Sequence, residues 1–136
     1  MKVIEKQYPF SATDVMALLN ITDSSKLSLI EDLIKQACEF IEGICGYSVT
    51  NEIREYELIN DGDTITLEKV PSGYEIDKAI KIDSLTYILT SEKVRFNFEA
   101  KDSLKTFIIE YVYNVLTNQS IDSLKEKLIT YKLRRV

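Results

Sequence analysis

Between Leu27 and Cys45 the apolar residues Leu27, Ile30, Leu33, Ile34, Ala37, Cys38, Ile41 and Ile44 or Cys45 recur every three or four positions. That spacing lays them along one face of an α-helix, which has to be buried against something else. Glu31, Asp32, Lys35, Glu39 and Glu42 are assigned to the wet side. Asp23, Ser24 and Ser25 supply N-cap candidates and Gly46 a C-terminal stop. The pattern predicts a helix over 24–45, about 33 Å long at 1.5 Å per residue. With 136 residues and 45% apolar content, one domain can supply the core that such a helix needs.

The rest of the chain reads outward from this helix. Ser11-Ala-Thr-Asp14 has the form of a capping box, with Val15, Leu18 and Leu19 following, so a short first helix ends near Asn20 after an extended lead containing Pro9. Beyond Tyr47 the period falls to two. Ile53, Glu55, Glu57 and Ile59 alternate with Arg54, Tyr56 and Leu58, Asn60-Asp-Gly-Asp63 gives a turn, and Ile65, Leu67 and the run to Val70 resume the alternation, which predicts a hairpin. Pro71-Ser-Gly73 breaks it, and 79–82, 85–89 and 94–98 read as further short strands. Residues 105–113 alternate Phe107, Ile109, Tyr111 and Tyr113 with Thr106, Ile108, Glu110 and Val112, and their β-branched and aromatic character predicts a strand with Asn114 at its exit. Ser120 then caps a last helix, in which Ile121, Leu124, Leu128 and Tyr131 form one stripe and Ile129, Leu133 and Val136 a second. The expectation is a single α+β domain over 1–136, with a short and a long helix, an antiparallel β insert of about six short strands and a C-terminal helix. Its helical part covers 11–46 and 120–136 and its β part 52–114.

Composition excludes much chemistry. There is no histidine, which removes histidine metal ligands, Ser-His-Asp and Cys-His systems and imidazole proton transfer. Cys38 and Cys45 are seven apart, on one helical face but too distant for a disulfide, and read as buried free thiols. Asn60-Asp-Gly-Asp63 lacks the downstream glutamate of a calcium loop and reads as a turn. The tyrosines suit core and interface packing better than base stacking, because Arg54, Lys93 and Arg95 are the only cations near them on the strands. Glu55 with Glu57, and Asp61 with Asp63, are formal acid pairs whose default is solvated charge. No catalytic, cofactor-binding or metal-binding residue is expected. The net charge of −5 divides into −8 over residues 1–120 and +3 over 121–136, an acidic body with a basic tail. The N-terminal MKVIEKQYPF lacks the apolar run of a signal peptide, and the longest uncharged run, Tyr111 to Ile121 with only its flanks charged, is about half a bilayer span. A cytoplasmic chain without a membrane segment is the expectation.

Asp14-Val-Met-Ala-Leu-Leu-Asn-Ile-Thr-Asp23, the helix through Leu33-Ile-Lys-Gln-Ala37 and Phe40-Ile-Glu-Gly43, and Cys45-Gly-Tyr47 resemble the opening of phage head-tail connector proteins, also called adaptors or head-completion proteins. Long members insert a β region with a strand of the type apolar-x-apolar-x-Tyr-x-x-Gly before a C-terminal helix. Ile108-Ile-Glu-Tyr111-Val-Tyr-Asn114 sits where that strand belongs, although Asn114 replaces the usual Gly and the Pro that often precedes the final helix is missing. The resemblance implies a non-enzymatic neck protein of the virion, assembled in the host cytoplasm. Copies form a ring, typically of twelve, that docks on the portal protein, extends a channel through which DNA passes without specific binding, and carries a stopper or tail-completion protein. It also implies portal contact through the C-terminal segment, here Lys132, Leu133, Arg134, Arg135 and Val136, with Asp61, Gly62 and Asp63 as a candidate loop contact. The residues alone also fit a small intracellular acidic binding or regulatory protein, or a histidine-free carboxylate enzyme using a divalent metal.

Overall fold

A computed structural model describes residues 1–60 and 62–133. Ser11 opens the first helix, α1 (Ala12–Leu18), through a reciprocal capping box: its hydroxyl accepts from the Asp14 N–H at 3.1 Å, and the Asp14 carboxylate accepts from the Ser11 N–H at 3.0 Å. Asp23 then caps a 3-10 turn over Ser24–Lys26, which feeds the long helix α2 (Leu27–Cys45). Gly46 ends α2 in the left-handed conformation, φ +74°, and its N–H bonds the Glu42 carbonyl at 2.9 Å. The α2 stripe from Ile30 to Cys45 is buried as its spacing requires, although Leu27 is exposed. It packs with Val15 and Met16 of α1, with Leu104, Ile108 and Val112 of α3 (Asp102–Leu116), and with Leu124 and Leu128 of α4 (Asp122–Ile129). Cys38 and Cys45 are both buried free thiols within this helical core.

The remaining strands form two antiparallel sheets. The extended lead is strand β1 (Lys2–Gln7), which pairs with β2 (Asn51–Glu57) with a register shift between Val3 and Glu5. β3 (Thr64–Thr66), β4 (Gly73–Tyr74), β5 (Ala79–Lys81), β6 (Thr86–Leu89) and β7 (Lys93–Phe98) follow. Their orders are β1-β2-β7-β4 and β3-β6-β5. Inward side chains of both sheets share one core, in which Tyr87 lies 4.9 Å from Phe96 and 5.0 Å from Tyr74 between ring centroids. The chain is therefore an α+β fold with a helical core and a small β-sandwich core.

Four expectations are corrected by this arrangement. Residues 105–113 are not a strand but the middle of α3: Leu104, Ile108 and Val112, four apart, are fully buried, and this i, i+4 burial overrides the β propensity of the segment. Asn114 is consequently a buried helical residue, and the left-handed asparagines are Asn20, φ 57°, after α1, and Asn118, φ 56°, beyond the end of α3. The two runs flanking Asn60–Asp63 do not pair as a hairpin, because β2 lies between β1 and β7 while β3 pairs with β6 in the other sheet. The last helix is shorter than 120–136: α4 ends at Ile129, burying Leu124 and Leu128 and leaving Ile129 exposed. Its start is also later than expected, since Ile121, not Ser120, is the N-cap and makes no side-chain cap bond, although the Ser120 hydroxyl accepts from the Asp122 N–H at 3.1 Å.

The α3 assignment makes opposite demands from a strand on neighbouring residues. Ile108→Ala is expected to cost about 2–5 kcal/mol of unfolding free energy, and Tyr113→Ala no more than about 1 kcal/mol, measured by urea denaturation. A strand burying Phe107, Ile109, Tyr111 and Tyr113 would reverse that order.

Candidate functional site

The helical core and the sandwich core share no buried apolar residue among those described, and charge fills the junction between them. Lys69 is 0% exposed in its side chain, and its ammonium meets Glu52 Oε2 at 2.6 Å and Glu42 Oε2 at 3.0 Å. The hydroxyls of Ser48 and Thr50 lie 3.2 and 3.4 Å from the same nitrogen. Arg54 Nε donates to Glu52 Oε1 at 2.8 Å, and its Nη1 pairs with Glu68 on the exposed side. The Phe98 ring stands 5.1 Å from the Lys69 ammonium and 4.9 Å from the Arg54 guanidinium carbon. Glu42 comes from α2, Glu52 and Arg54 from β2, and Phe98 from β7, so the cluster ties both cores together.

A lysine between two glutamates resembles a proton-transfer site, but this one is closed. The three ammonium protons already face four acceptors, and Glu42 Oε2 also accepts from the Val49 N–H at 2.9 Å. Burial, the largest influence on Glu52, pushes its carboxyl up. The hydrogen bonds and charges of Arg54 and Lys69 together outweigh it and hold the carboxyl below the usual glutamate range. Burial likewise pushes the Cys38 thiol up to about 12, with the Glu42 charge adding to it, which leaves an inert thiol. Among the described residues no group of three or more Cys, Asp or Glu side chains is placed to hold a metal ion, and no helix is long and apolar enough to cross a membrane. What the molecule offers is surface.

The residues singled out from sequence fall in three places. Leu133 is half-buried: its N–H bonds the Cys45 carbonyl at 2.7 Å, and its side chain lies over Gly46, where an added Cβ would meet the Leu133 Cβ at 3.2 Å. Lys132 beside it is exposed, and Arg134, Arg135 and Val136 lie outside the described residues. Asp61 also lies outside them; Gly62 is exposed with φ +78°, and Asp63 turns its carboxylate back onto the Ile59 and Asn60 N–H groups at 3.0 and 2.8 Å. Glu55 and Glu57 do not converge, since Glu55 pairs with Arg95 at 3.2 Å and Glu57 lies opposite Lys93.

Glu42 was assigned to the wet side of α2 and is in fact buried. It stands four residues after Cys38 and three before Cys45, on the edge of the apolar stripe, and that spacing is the signal that sequence reading passed over. Lys69 carries a similar signal, because it continues the alternation of Ile65 and Leu67 toward the inside.

Three predictions test this junction and the Leu133 contact beside it. Lys69→Met leaves two buried carboxylates facing each other and is expected to cost about 3–5 kcal/mol in denaturant unfolding. Because the folded value of Glu52 is lowered, its contribution is present above the unfolded value of about 4.3 and is lost as pH falls toward the folded one. Glu52→Gln, weaker at pH 7, should therefore lose less stability than the wild type as pH is taken below about 4.5. Gly46→Ala forces a left-handed alanine against Leu133 and should cost at least about 1–2 kcal/mol, read as a lowered melting temperature.

A family model described as phage gp6-like head-tail connector protein matches residues 12–133, from the first residue of α1 to the Leu133 clasp. No curated protein and no solved structure matches the chain. A match running through all four helices and the sandwich between them covers nearly everything the structure describes, including the sealed ionic junction. The chain therefore belongs to the phage gp6-like head-tail connector family, whose members are structural parts of the phage neck and not enzymes.

Proposed function

We propose that copies of this chain form a ring, of twelve subunits as the resemblance implies, that docks on the portal protein, extends the DNA channel and carries the stopper or tail-completion protein. The observation that carries this reading is the family match over residues 12–133. Physical features support it. A ring needs two different faces on each subunit, and two cores joined at a fixed ionic junction hold such faces in one relative orientation. A channel that passes DNA without holding it must avoid neutralising phosphates, and the net −8 of residues 1–120 suits that task.

Portal contact falls to the basic C-terminal segment. The Leu133 clasp at Gly46 supports a division of labour in which Leu133 anchors the segment and Lys132, Arg134, Arg135 and Val136 reach the partner. The Asp61, Gly62 and Asp63 turn is a second candidate contact, at an exposed loop tip.

Native mass spectrometry of the chain with its portal protein tests the reading. Rings or ring-on-portal complexes are expected, and Arg134→Ala with Arg135→Ala should weaken portal binding by about tenfold or more, the loss of one to two good contacts. Persistent monomers without affinity for a portal would favour the acidic regulatory reading. Unchanged binding by the double variant would remove the tail from the contact.

A further inference from the structure

Lys69, Glu42 and Glu52 hold the two cores together, and they also contain every group that an amide bond needs. The amine, Nζ of Lys69, lies 3.0 Å from Glu42 Oε2 and 2.6 Å from Glu52 Oε2, on a side chain that is 0% exposed. Held at that distance, amine and carboxyl have already lost the freedom that makes condensation between separate molecules slow. An ion pair in water resists condensation because hydration stabilises both charges. Here that hydration is gone, and joining the two groups removes two buried charges at once.

The two carboxylates are not equivalent. Arg54 donates to Glu52 Oε1 at 2.8 Å and, together with Lys69, holds that carboxyl below the usual glutamate range, so Glu52 stays an anion. It is suited to take a proton and not to be attacked. The Glu42 oxygen nearest the amine instead accepts the Val49 N–H at 2.9 Å, which draws charge out of the carboxyl group. The Thr50 hydroxyl stands 3.4 Å from Glu42 Oε2 and 3.5 Å from Glu52 Oε2, a bridge between them. The Glu42 side chain is also the more open of the two, 11% exposed against 1%, which gives a small leaving group a way out on its side.

We propose that this cluster is a self-modification site, at which Lys69 and Glu42 condense to an isopeptide bond with Glu52 as proton carrier. The step balances without any co-reactant. The ammonium gives a proton to Glu52, the freed electron pair of Nζ attacks Cδ of Glu42, and the Nζ–Cδ bond forms. A second proton leaves the nitrogen by the same route, and Thr50 relays both to Oε2. The Cδ–Oε2 bond then breaks and water departs, leaving one N–H on the amide. Glu52 ends as it began, an anion paired with Arg54, so the product buries one ion pair fewer. Phe98, 5.1 Å from the amine, and the burial of Lys69 shield the amide from hydrolysis. The bond ties α2 to the segment before Val70, at the junction of the two cores, and it does not depend on the ring.

Intact-mass spectrometry of the purified, denatured chain, followed by proteolysis and tandem sequencing, tests it. The expected wild-type mass is lower by one water than the sequence requires, with a branched peptide joining Lys69 to Glu42. Lys69→Met and Glu42→Ala should both show the full mass. Timed from cell-free synthesis, Glu52→Gln should lose water about a hundredfold more slowly than the wild type, the scale of a positioned acid–base group. A folded wild-type chain that keeps its full mass overturns the proposal. So does a water lost elsewhere, as a succinimide at Asp61 before Gly62 would show, or a water still lost from Lys69→Met. Conversion of Glu52→Gln at the wild-type rate overturns the proton route, and the proposed step with it. The decisive mass is that of the wild-type chain, so the result stands even where a variant fails to fold.

Discussion

The Lys69 side chain ends at a place no water reaches, and the rest of the fold is arranged so that its nitrogen is never alone. Glu42 on the long helix and Glu52 on the second strand each give it an oxygen, Ser48 and Thr50 on the connection between them give hydroxyls, and Phe98 closes over the top. Removing three charged groups from water is costly, and only such complete partnering recovers the cost. The consequence is geometric. The cluster is satisfied only when α2, β2 and the segment before Val70 stand in one mutual position. Backbone bonds between Val70 and Gly46 at 2.8 Å and between Lys101 and Ser48 at 2.7 Å reinforce the same position.

This joint explains why two separate apolar cores behave as one part. In the ring reading proposed above, the part's task is to hold surfaces at fixed angles against neighbours. An apolar junction would stabilise the joint but would tolerate sliding, because hydrophobic contact is not directional. An ammonium held by two carboxylates from two elements does not tolerate it. The C-terminal end is tied to the same region, since Leu133 bonds the last turn of α2 at Cys45 and packs on Gly46, and the Cys45 thiol donates to the Leu128 carbonyl at 3.4 Å. Leu133 is thus held at a fixed point at the end of the longest helix.

Much of this was legible in the chain itself. The Ser11 capping box, the α2 stripe, the Gly46 stop and the strands over 79–81, 86–89 and 93–98 follow from local periodicity and turn chemistry. The α3 segment was misread because its residues satisfy both periods: Phe107, Ile109, Tyr111 and Tyr113 alternate, while Leu104, Ile108 and Val112 repeat every four. Only the presence of the α2 stripe opposite it decides between them. Strand partnership failed for a related reason, since nothing local tells β3 that its neighbour is β6 and not β2. The ionic cluster was visible as two polar residues at inward positions, Glu42 and Lys69, but each looked like surface until the fold brought them 3.0 Å apart.

The central claim is that the chain is a structural part of the neck, held rigid by its ionic junction. Electron cryo-microscopy of the neck in assembled virions tests that claim most directly. The expected result is density between portal and tail into which both cores fit as one body, with Glu42, Lys69 and Glu52 in contact as they are in the isolated chain. Virions whose necks contain no copy of the chain, or copies in which the sandwich has swung away from the helices and the Lys69 cluster is open, would contradict it.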